Sequence, residues 1–165
     1  MGELPPIDPS LVTDELVAFL AQGVSVLVGT CDRAGVPACM RATGLLLTPD
    51  RQQATVYLPE VTSRNTVTNV RDNPRVAVYA SYPLDHKSYQ MKGPVLDVSP
   101  APESARALIE AYVATWSSVL EVIGMPSEMA RLLAQWPSVA LTLRIDELYL
   151  QTPGPGAGAA VGGPP

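Results

Sequence analysis

The pattern of apolar and polar positions divides the chain into helical and extended stretches. Residues 11–22 place their apolar side chains on one helical face, with Ser10 or Thr13 as the candidate N-cap and Gly23 as the terminator. In residues 103–124 the apolar side chains recur three and four positions apart, which is the spacing of a long amphipathic helix. We therefore predict helices near both ends of the chain.

Short β-strands are predicted between these helices. Apolar, β-rich runs separated by turn residues lie at 24–31, 36–48, 53–58, 75–82, 88–98 and 139–150. The first three runs form a meander, a helix over 62–72 interrupts the series, and another helix over 126–135 precedes the last strand. Many short strands with inserted helices predict an α+β fold built on an antiparallel barrel, not a parallel doubly wound sheet.

The chain is long enough for one compact domain. It has 165 residues, of which 47% are hydrophobic. A chain of this length can form one domain with a hydrophobic core but is too short for two stable domains. We assign residues 1–152 to a single domain and residues 153–165 to a Pro/Gly-rich C-terminal tail. Because the tail is low in complexity, we expect it to lack fixed structure.

The charge balance limits the classes of partner. The net charge is −5 and the chain has only two lysines, so no basic face is available for a nucleic acid or an anionic membrane. No apolar run reaches the length of a membrane span, and residues 1–10 lack the features of a signal peptide. We therefore expect a cytoplasmic protein with no nucleic-acid or membrane partner.

The cysteines and the single histidine offer little catalytic chemistry. Cys31 and Cys39 flank a turn at residues 32–35, and a register closed around that turn does not place them opposite each other, so we expect two reduced thiols. His86 lies in a predicted turn and is more often a surface residue than a haem ligand in such a place. The spacing of these residues predicts no metal site and no nucleophilic triad.

Two parts of the sequence have the chemistry of a phosphate site. A helix that begins at Thr62, Ser63 and Arg64 offers free backbone N–H groups, two hydroxyl groups and a cation. Arg41 lies in a strand of small and apolar residues, where an inward-facing guanidinium would need an anion. The alternative for Arg41 and for Arg64 is a solvated charge on the protein surface.

The order of these parts resembles a known family. Residues 11–98 contain, in order, an opening helix, a Gly-x-Pro hairpin at 35–37, the strand arginine, the short helix and an Asn-Pro-x-Val-Ala-Val segment at 73–78. This order resembles that of the pyridoxamine 5′-phosphate oxidase-like, FMN-binding split-barrel family. The resemblance implies an antiparallel split β-barrel of six or more strands with flanking helices. It also implies a homodimer with FMN in a groove between the subunits. The phosphate would be held by Arg41, Thr62, Ser63 and Arg64.

The resemblance also implies contacts to the rest of the cofactor. Backbone amides from Arg41 to Thr43, including that of Ala42, would lie against the flavin ring edge. Ser88 and Gln90 would reach the ring or the ribityl chain, unless they are ordinary polar residues of an edge strand.

Two departures from the family bear on function. The lysine that often follows the helix arginine is replaced here by Asn65 or Thr66, and residues 143–150 lack the histidine of the vitamin B6 oxidase substrate site. Residues 151–158 are loosely similar to flavoredoxin-like members. We therefore expect an FMN-dependent oxidoreductase that acts on an unidentified small-molecule substrate or electron donor. The alternative is a non-catalytic split-barrel protein that carries FMN or haem.

Overall fold

The structure is a computed structural model, and it describes residues 11–131 and 135–162. The helices are α1 (Asp14–Leu20), α2 (Arg64–Asp72), α3 (Arg106–Val122) and α4 (Ser127–Arg131), with single 3₁₀ turns at Glu60–Thr62 and Glu103–Ala105. The strands are β1 (Ser25–Cys31), β2 (Pro37–Arg41), β3 (Leu45–Leu47), β4 (Gln53–Pro59), β5 (Arg75–Ser81), β6 (Ser88–Pro100), β7 (Ser138–Arg144) and β8 (Glu147–Leu150). No helix among the described residues is long and apolar enough to cross a membrane.

The eight strands form one sheet in which every pair is antiparallel. Their order is β2-β1-β5-β6-β7-β4-β3, and β8 pairs with β6 off this path. The sheet is not closed, since β2 and β3 are its two ends. This arrangement confirms the predicted α+β split barrel with flanking helices.

Strand β6 joins the two halves of the sheet. Its first half pairs with β5 and β8, and its second half pairs with β7 after a register shift between Val95 and Asp97. Gly93 lies at the change of partner, where a Cβ atom would come within 1.8 Å of the Arg144 carbonyl oxygen. Only glycine therefore allows the strand to pass this close to β7.

The core fills the space between the sheet halves and two of the helices. Leu16 and Phe19 of α1 and Val70 of α2 are buried against inward-facing strand residues. The largest fully buried strand side chains are Val26, Val28, Val56, Leu58, Val78, Met91, Leu141 and Leu143. Thr13 is the N-cap of α1 and accepts a hydrogen bond from the Leu16 N–H at 3.3 Å, whereas the other candidate cap lies outside the described residues.

The predicted strand at 36–48 is two strands. The Ala42 N–H donates to Val26 of β1, but the next N–H, that of Thr43, donates to Tyr57 of β4. The chain thus changes its hydrogen-bonding partner within one residue, and an apolar run on its own carries no sign of such a change. The predicted strand at 139–150 is divided in the same way into β7 and β8.

The tail also differs from the prediction. We expected residues 153–165 to lack fixed structure, but the described part of the tail folds back against β8. The Gly158 N–H donates to the Leu150 carbonyl (2.7 Å) and the Val161 N–H to the Leu148 carbonyl (2.8 Å). These hydrogen bonds satisfy part of an otherwise open strand edge. The end of the predicted helix at 126–135 lies in part outside the described residues.

Candidate cofactor-binding site

Arg41 is held at the end of β2 by uncharged groups. Its guanidinium donates to the Ser25 hydroxyl of β1, and its Cζ atom lies 4.6 Å from the centroid of the Trp116 ring of α3. The residue is half-buried, and no carboxylate among the described residues forms an ion pair with it. Its positive charge is therefore oriented but not neutralised.

A cavity of about 380 Å³ opens beside this guanidinium. We call it the Arg41 cavity, and its walls are Ser25, Arg41, Tyr79, Ser81, Pro83, Trp116, Leu120 and Met125. The wall combines one cation and several hydroxyl groups with apolar side chains, and it contains no carboxylate. This donor set suits an oxyanion attached to an apolar or aromatic body.

Hydroxyl groups behind the cavity wall hold Tyr79 in place. The Tyr79 hydroxyl donates to the Ser88 hydroxyl at 2.9 Å. Ser88 Oγ lies in turn 2.9 Å from Ser81 Oγ and 2.7 Å from the His86 carbonyl oxygen. Ser88 is fully buried and does not line the cavity. In one copy of the chain it therefore supports the cavity wall.

Helix α3 is fixed next to the cavity by a contact to Val24, the residue that precedes β1. The Tyr112 hydroxyl donates to the Val24 carbonyl at 2.7 Å, and burial raises the pKa of Tyr112 to about 12. One helical turn further on, Trp116 is only 7% exposed. Its indole nitrogen, Nε1, has no hydrogen-bond partner among the described residues. The fold thus buries this hydrogen-bond donor without a partner among the described residues.

The start of α2 lines a different cavity. Ser63 and Arg64 face a groove of about 700 Å³ between α2 and the ends of β6 and β7, which we call the α2 groove. The Ser63 hydroxyl donates to the Glu60 carbonyl (3.1 Å) and the Thr62 hydroxyl to the Pro59 carbonyl (3.4 Å). Within one copy of the chain, the structure therefore does not bring these residues into the Arg41 cavity.

The residues assigned to the flavin ring have internal partners. Ala42 and Thr43 are buried, and their backbone N–H groups donate to carbonyl groups of β1 and β4 at 2.9 and 2.8 Å. Gln90 lies opposite Tyr79 in the register of β5 and β6, on the same sheet face, and its side-chain oxygen accepts from Gln151 at 3.4 Å. Two of the ring candidates thus lie opposite cavity residues in the register, Gln90 opposite Tyr79 and Ser88 opposite Ser81.

Several cavity residues carry no signal in the sequence that marks them as part of a site. Trp116 falls at core spacing in an amphipathic helix, so its pattern predicts packing, and only the tertiary fold places it under Arg41. Ser25 and Ser81 could have been found from strand alternation once β1, β2 and β5 were known to be neighbours. Their registers place Ser25 opposite Ser81 and Leu27 opposite Arg41.

Neither the cysteines nor His86 belong to this site. The register places Cys31 opposite Pro37 and Cys39 opposite Gly29, so the expectation that the two thiols do not face each other is confirmed. His86 is exposed in the β5–β6 turn and lines neither cavity. The described residues contain no group of histidine, cysteine and acidic side chains that could hold a metal ion.

Comparison with known proteins places the chain in a family. No curated protein sequence matches it. HupZ of Group A Streptococcus has a similar structure, with a TM-score of 0.55, 16% identity and coverage of 88% of this chain and 98% of HupZ. An F420 reductase matches with a TM-score of 0.53, 15% identity and coverage of 79% and 93%. A pyridoxamine 5′-phosphate oxidase-related, FMN-binding protein of Nostoc punctiforme matches with a TM-score of 0.51, 14% identity and coverage of 90% and 89%.

These structural similarities concern the fold. The sequence profile of the pyridoxamine 5′-phosphate oxidase family matches residues 12–151, which is nearly the whole of the described chain. The match includes the arginine strand, the α2 start and both halves of the sheet. The chain therefore belongs to the pyridoxamine 5′-phosphate oxidase family.

Proposed function

We propose that this protein is an FMN-dependent oxidoreductase whose Arg41 cavity binds the phosphate of the cofactor. The observation that carries the proposal is the half-buried Arg41 guanidinium, which is oriented by Ser25 and Trp116 but has no carboxylate partner among the described residues. A guanidinium held in this way is prepared to bind an oxyanion through paired hydrogen bonds. The family and the FMN-binding relative support flavin as the class of cofactor.

The rest of the cavity fits the remainder of such a ligand. Ser25 and Ser81 place hydroxyl groups beside Arg41, and Pro83, Leu120 and Met125 provide apolar walls. A flavin has a charged phosphate end and a flat, largely apolar ring, so both kinds of wall have a counterpart. When bound, FMN supplies the hydride chemistry. The residues of this chain bind and orient the cofactor.

This assignment places the phosphate at Arg41 and not in the α2 groove. Ser63 is buried and its hydroxyl is already bonded to Glu60, while Arg64 is exposed. An exposed arginine without a rigid partner gains less from an anion, because solvent and salt screen the charge. Residues Thr62 to Arg64 therefore contribute to the same phosphate only if a second copy brings an α2 groove to the Arg41 cavity.

We also propose that the protein acts as a homodimer. Arg41, Leu27, Tyr79 and Gln90 lie in register across four neighbouring strands, on the sheet face turned away from the core. Each of these side chains is half-buried in a single copy. A second copy on this face would cover the row and complete the wall of the Arg41 cavity, and twofold symmetry is the commonest way to do so.

A spectroscopic experiment separates the enzyme from a carrier. Purified protein is stripped of ligand, loaded with FMN and treated anaerobically with NADH and with NADPH, and the flavin absorbance is recorded. Bleaching by a reduced nicotinamide supports the oxidoreductase. FMN that binds but is not bleached supports non-catalytic carriage, and a failure to bind FMN contradicts the proposal. The sole histidine, His86, is exposed and does not line the cavity, so it is not placed to ligate a haem there.

A further inference from the structure

We propose that Ser81 is a ligand-binding residue of the Arg41 cavity, whose hydroxyl oxygen accepts a hydrogen bond from a hydroxyl group of the ligand. The ligand class is a phosphorylated hydroxy compound, with its phosphate at Arg41 and a hydroxyl group close to that phosphate. This inference deepens the proposed function and rests on it for the phosphate. The ribityl phosphate chain of FMN belongs to this class.

The Ser88 hydroxyl group has one proton and three polar neighbours. Ser88 is fully buried, and its Oγ atom lies 2.7 Å from the His86 carbonyl oxygen and 2.9 Å from the hydroxyl oxygens of Tyr79 and Ser81. A carbonyl oxygen has no proton, so the short contact to His86 is a hydrogen bond only if Ser88 is the donor. The single proton of Ser88 is thereby used. Its two lone pairs remain for protons from Tyr79 and Ser81.

The β5–β6 turn fixes the carbonyl group that sets this order. The His86 N–H donates to the Tyr82 carbonyl at 3.0 Å, and the Tyr82 N–H donates to the Lys87 carbonyl at 2.9 Å. His86 has a φ of 61°, in the left-handed region that few residues other than glycine adopt. The acceptor for Ser88 is therefore a backbone group of a closed turn, and it does not depend on the imidazole of His86.

Ser81 must donate its own proton to Ser88, because the proton of Ser88 is already used. Ser81 alternates along β5 with the buried Ala80, so its side chain lies on the outward face of the sheet, where it lines the cavity. Its proton is directed at Ser88 behind the wall, and only oxygen lone pairs are left for a ligand. The ligand group next to Ser81 therefore has to be a hydrogen-bond donor, such as a hydroxyl group.

Ser25 has the opposite polarity on the neighbouring strand. Its hydroxyl oxygen accepts from the Arg41 guanidinium, so its own proton remains available to a ligand. Ser25 lies opposite Ser81 in the register of β1 and β5, and the Cβ atoms of such pairs are about 4.5 to 5.5 Å apart. The cavity thus places donors for an oxyanion next to an acceptor for a hydroxyl group. This spacing fits a phosphate ester with a hydroxyl group a few bonds from the phosphorus.

Two small phosphate esters test the polarity of Ser81. The hydroxyl group of 2-hydroxyethyl phosphate can donate a hydrogen bond, whereas the ether oxygen of 2-methoxyethyl phosphate can only accept one. NMR titrations of ¹⁵N-labelled apo-protein measure the affinity for each ester. We expect wild type to bind the hydroxyethyl ester about fivefold more tightly, which is the effect of one neutral hydrogen bond. Ser81→Ala should bind the two esters equally, and Arg41→Ala should bind neither.

Titration with FMN applies the same test to the proposed cofactor. Ser81→Ala should bind FMN about fivefold more weakly than wild type, because one hydrogen bond to the ribityl chain is lost. The matched control is Ser118→Ala, since Ser118 is exposed on α3 and lines neither cavity. This variant should bind FMN as wild type does, and the circular dichroism of both variants should be that of wild type.

The results separate failure of this inference from failure of the flavin proposal. If FMN binds equally well to wild type and to Ser81→Ala, or binds while wild type shows no preference between the esters, the inference is overturned and the flavin proposal survives. If FMN does not bind, the flavin proposal fails and the esters decide alone. A preference in wild type that Ser81→Ala loses then supports a site for another phosphorylated hydroxy compound. The absence of that preference overturns the inference.

Discussion

The Tyr112 contact yields a prediction that combines a substitution with pH. Tyr112 ties α3 to the start of the first strand, since its hydroxyl donates to the carbonyl of Val24, the residue before β1, at 2.7 Å. Tyr112→Phe removes this hydrogen bond, so at pH 7 we expect the free energy of unfolding to fall by about 1 kcal/mol. Burial raises the pKa of Tyr112 from its ordinary value of 10 to about 12, although the Val26 backbone and Arg41 offset part of the rise. The folded protein thus favours the neutral phenol.

The sign of the pH effect follows from this difference. Below pH 10 the phenol is neutral in both states, and its contribution to stability is fully present. Between pH 10 and pH 12 the unfolded phenol ionises first, so stability is lost as the pH rises. At pH 11 the loss from Tyr112 amounts to about 1.4 kcal/mol, which corresponds to one pH unit. That is larger than the cost of the substitution at neutral pH.

Both the cost of the substitution and its pH dependence can be measured by urea unfolding of wild type and of Tyr112→Phe. The unfolding is followed by circular dichroism from pH 7 to pH 11. Other ionising groups affect the two proteins alike, so the difference between them isolates Tyr112. We expect the wild type to be the more stable protein at pH 7 and to lose this advantage by pH 11. A stability difference that stays constant over this range would refute the reasoning.

Three further predictions concern the strand crossing, the histidine and the assembly. Gly93→Ala places a Cβ atom 1.8 Å from the Arg144 carbonyl oxygen and should lower the free energy of unfolding by about 3 kcal/mol. The control is Gly29→Ala, where the nearest atom to the added Cβ is 3.9 Å away, and it should lower the free energy of unfolding by about 1 kcal/mol or less. Both variants are measured in the same urea experiment. His86→Ala should leave FMN content and turnover unchanged, and a loss of either would show that the β5–β6 turn belongs to the site. Light scattering at micromolar concentration should give a dimer, and a clean monomer would contradict the proposed covering of the Arg41 face.

Local signals in the sequence predicted most of the secondary structure correctly. Helix α2 ends at Asp72, where its end was predicted, because Pro74 lacks an N–H and this effect is local. Helix α1 ends at Leu20, two residues before its predicted end at 22, and Gly23 follows it with a positive φ. The change of partner between Ala42 and Thr43 was missed, since a residue's hydrogen-bonding neighbour depends on distant strands. The return of the tail onto β8 was missed for the same reason, because the edge it covers exists only in the folded sheet.

The candidate site was predictable only in part. Arg41 stood out because a cation in an apolar strand needs a physical reason, and the structure provides one in the cavity beside it. Its partner Trp116 lies 75 positions further along the chain, at a spacing that is equally typical of a helix core. The Thr62 to Arg64 helix start had suitable chemistry, but chemistry alone does not reveal which cavity a helix faces.

The central claim, that the Arg41 cavity binds the FMN phosphate, is tested most directly by equilibrium titration of the apo-protein with FMN. The titration is performed for wild type, Arg41→Ala and Arg64→Ala. A charge-assisted contact to phosphate is worth about 1.5 to 3 kcal/mol, so Arg41→Ala should weaken FMN binding roughly ten- to a hundredfold while its circular dichroism stays that of wild type. Arg64→Ala should change the affinity less, because its exposed charge lies in the separate α2 groove. Wild-type affinity in Arg41→Ala, or a larger loss in Arg64→Ala, would contradict the assignment of the phosphate to the Arg41 cavity.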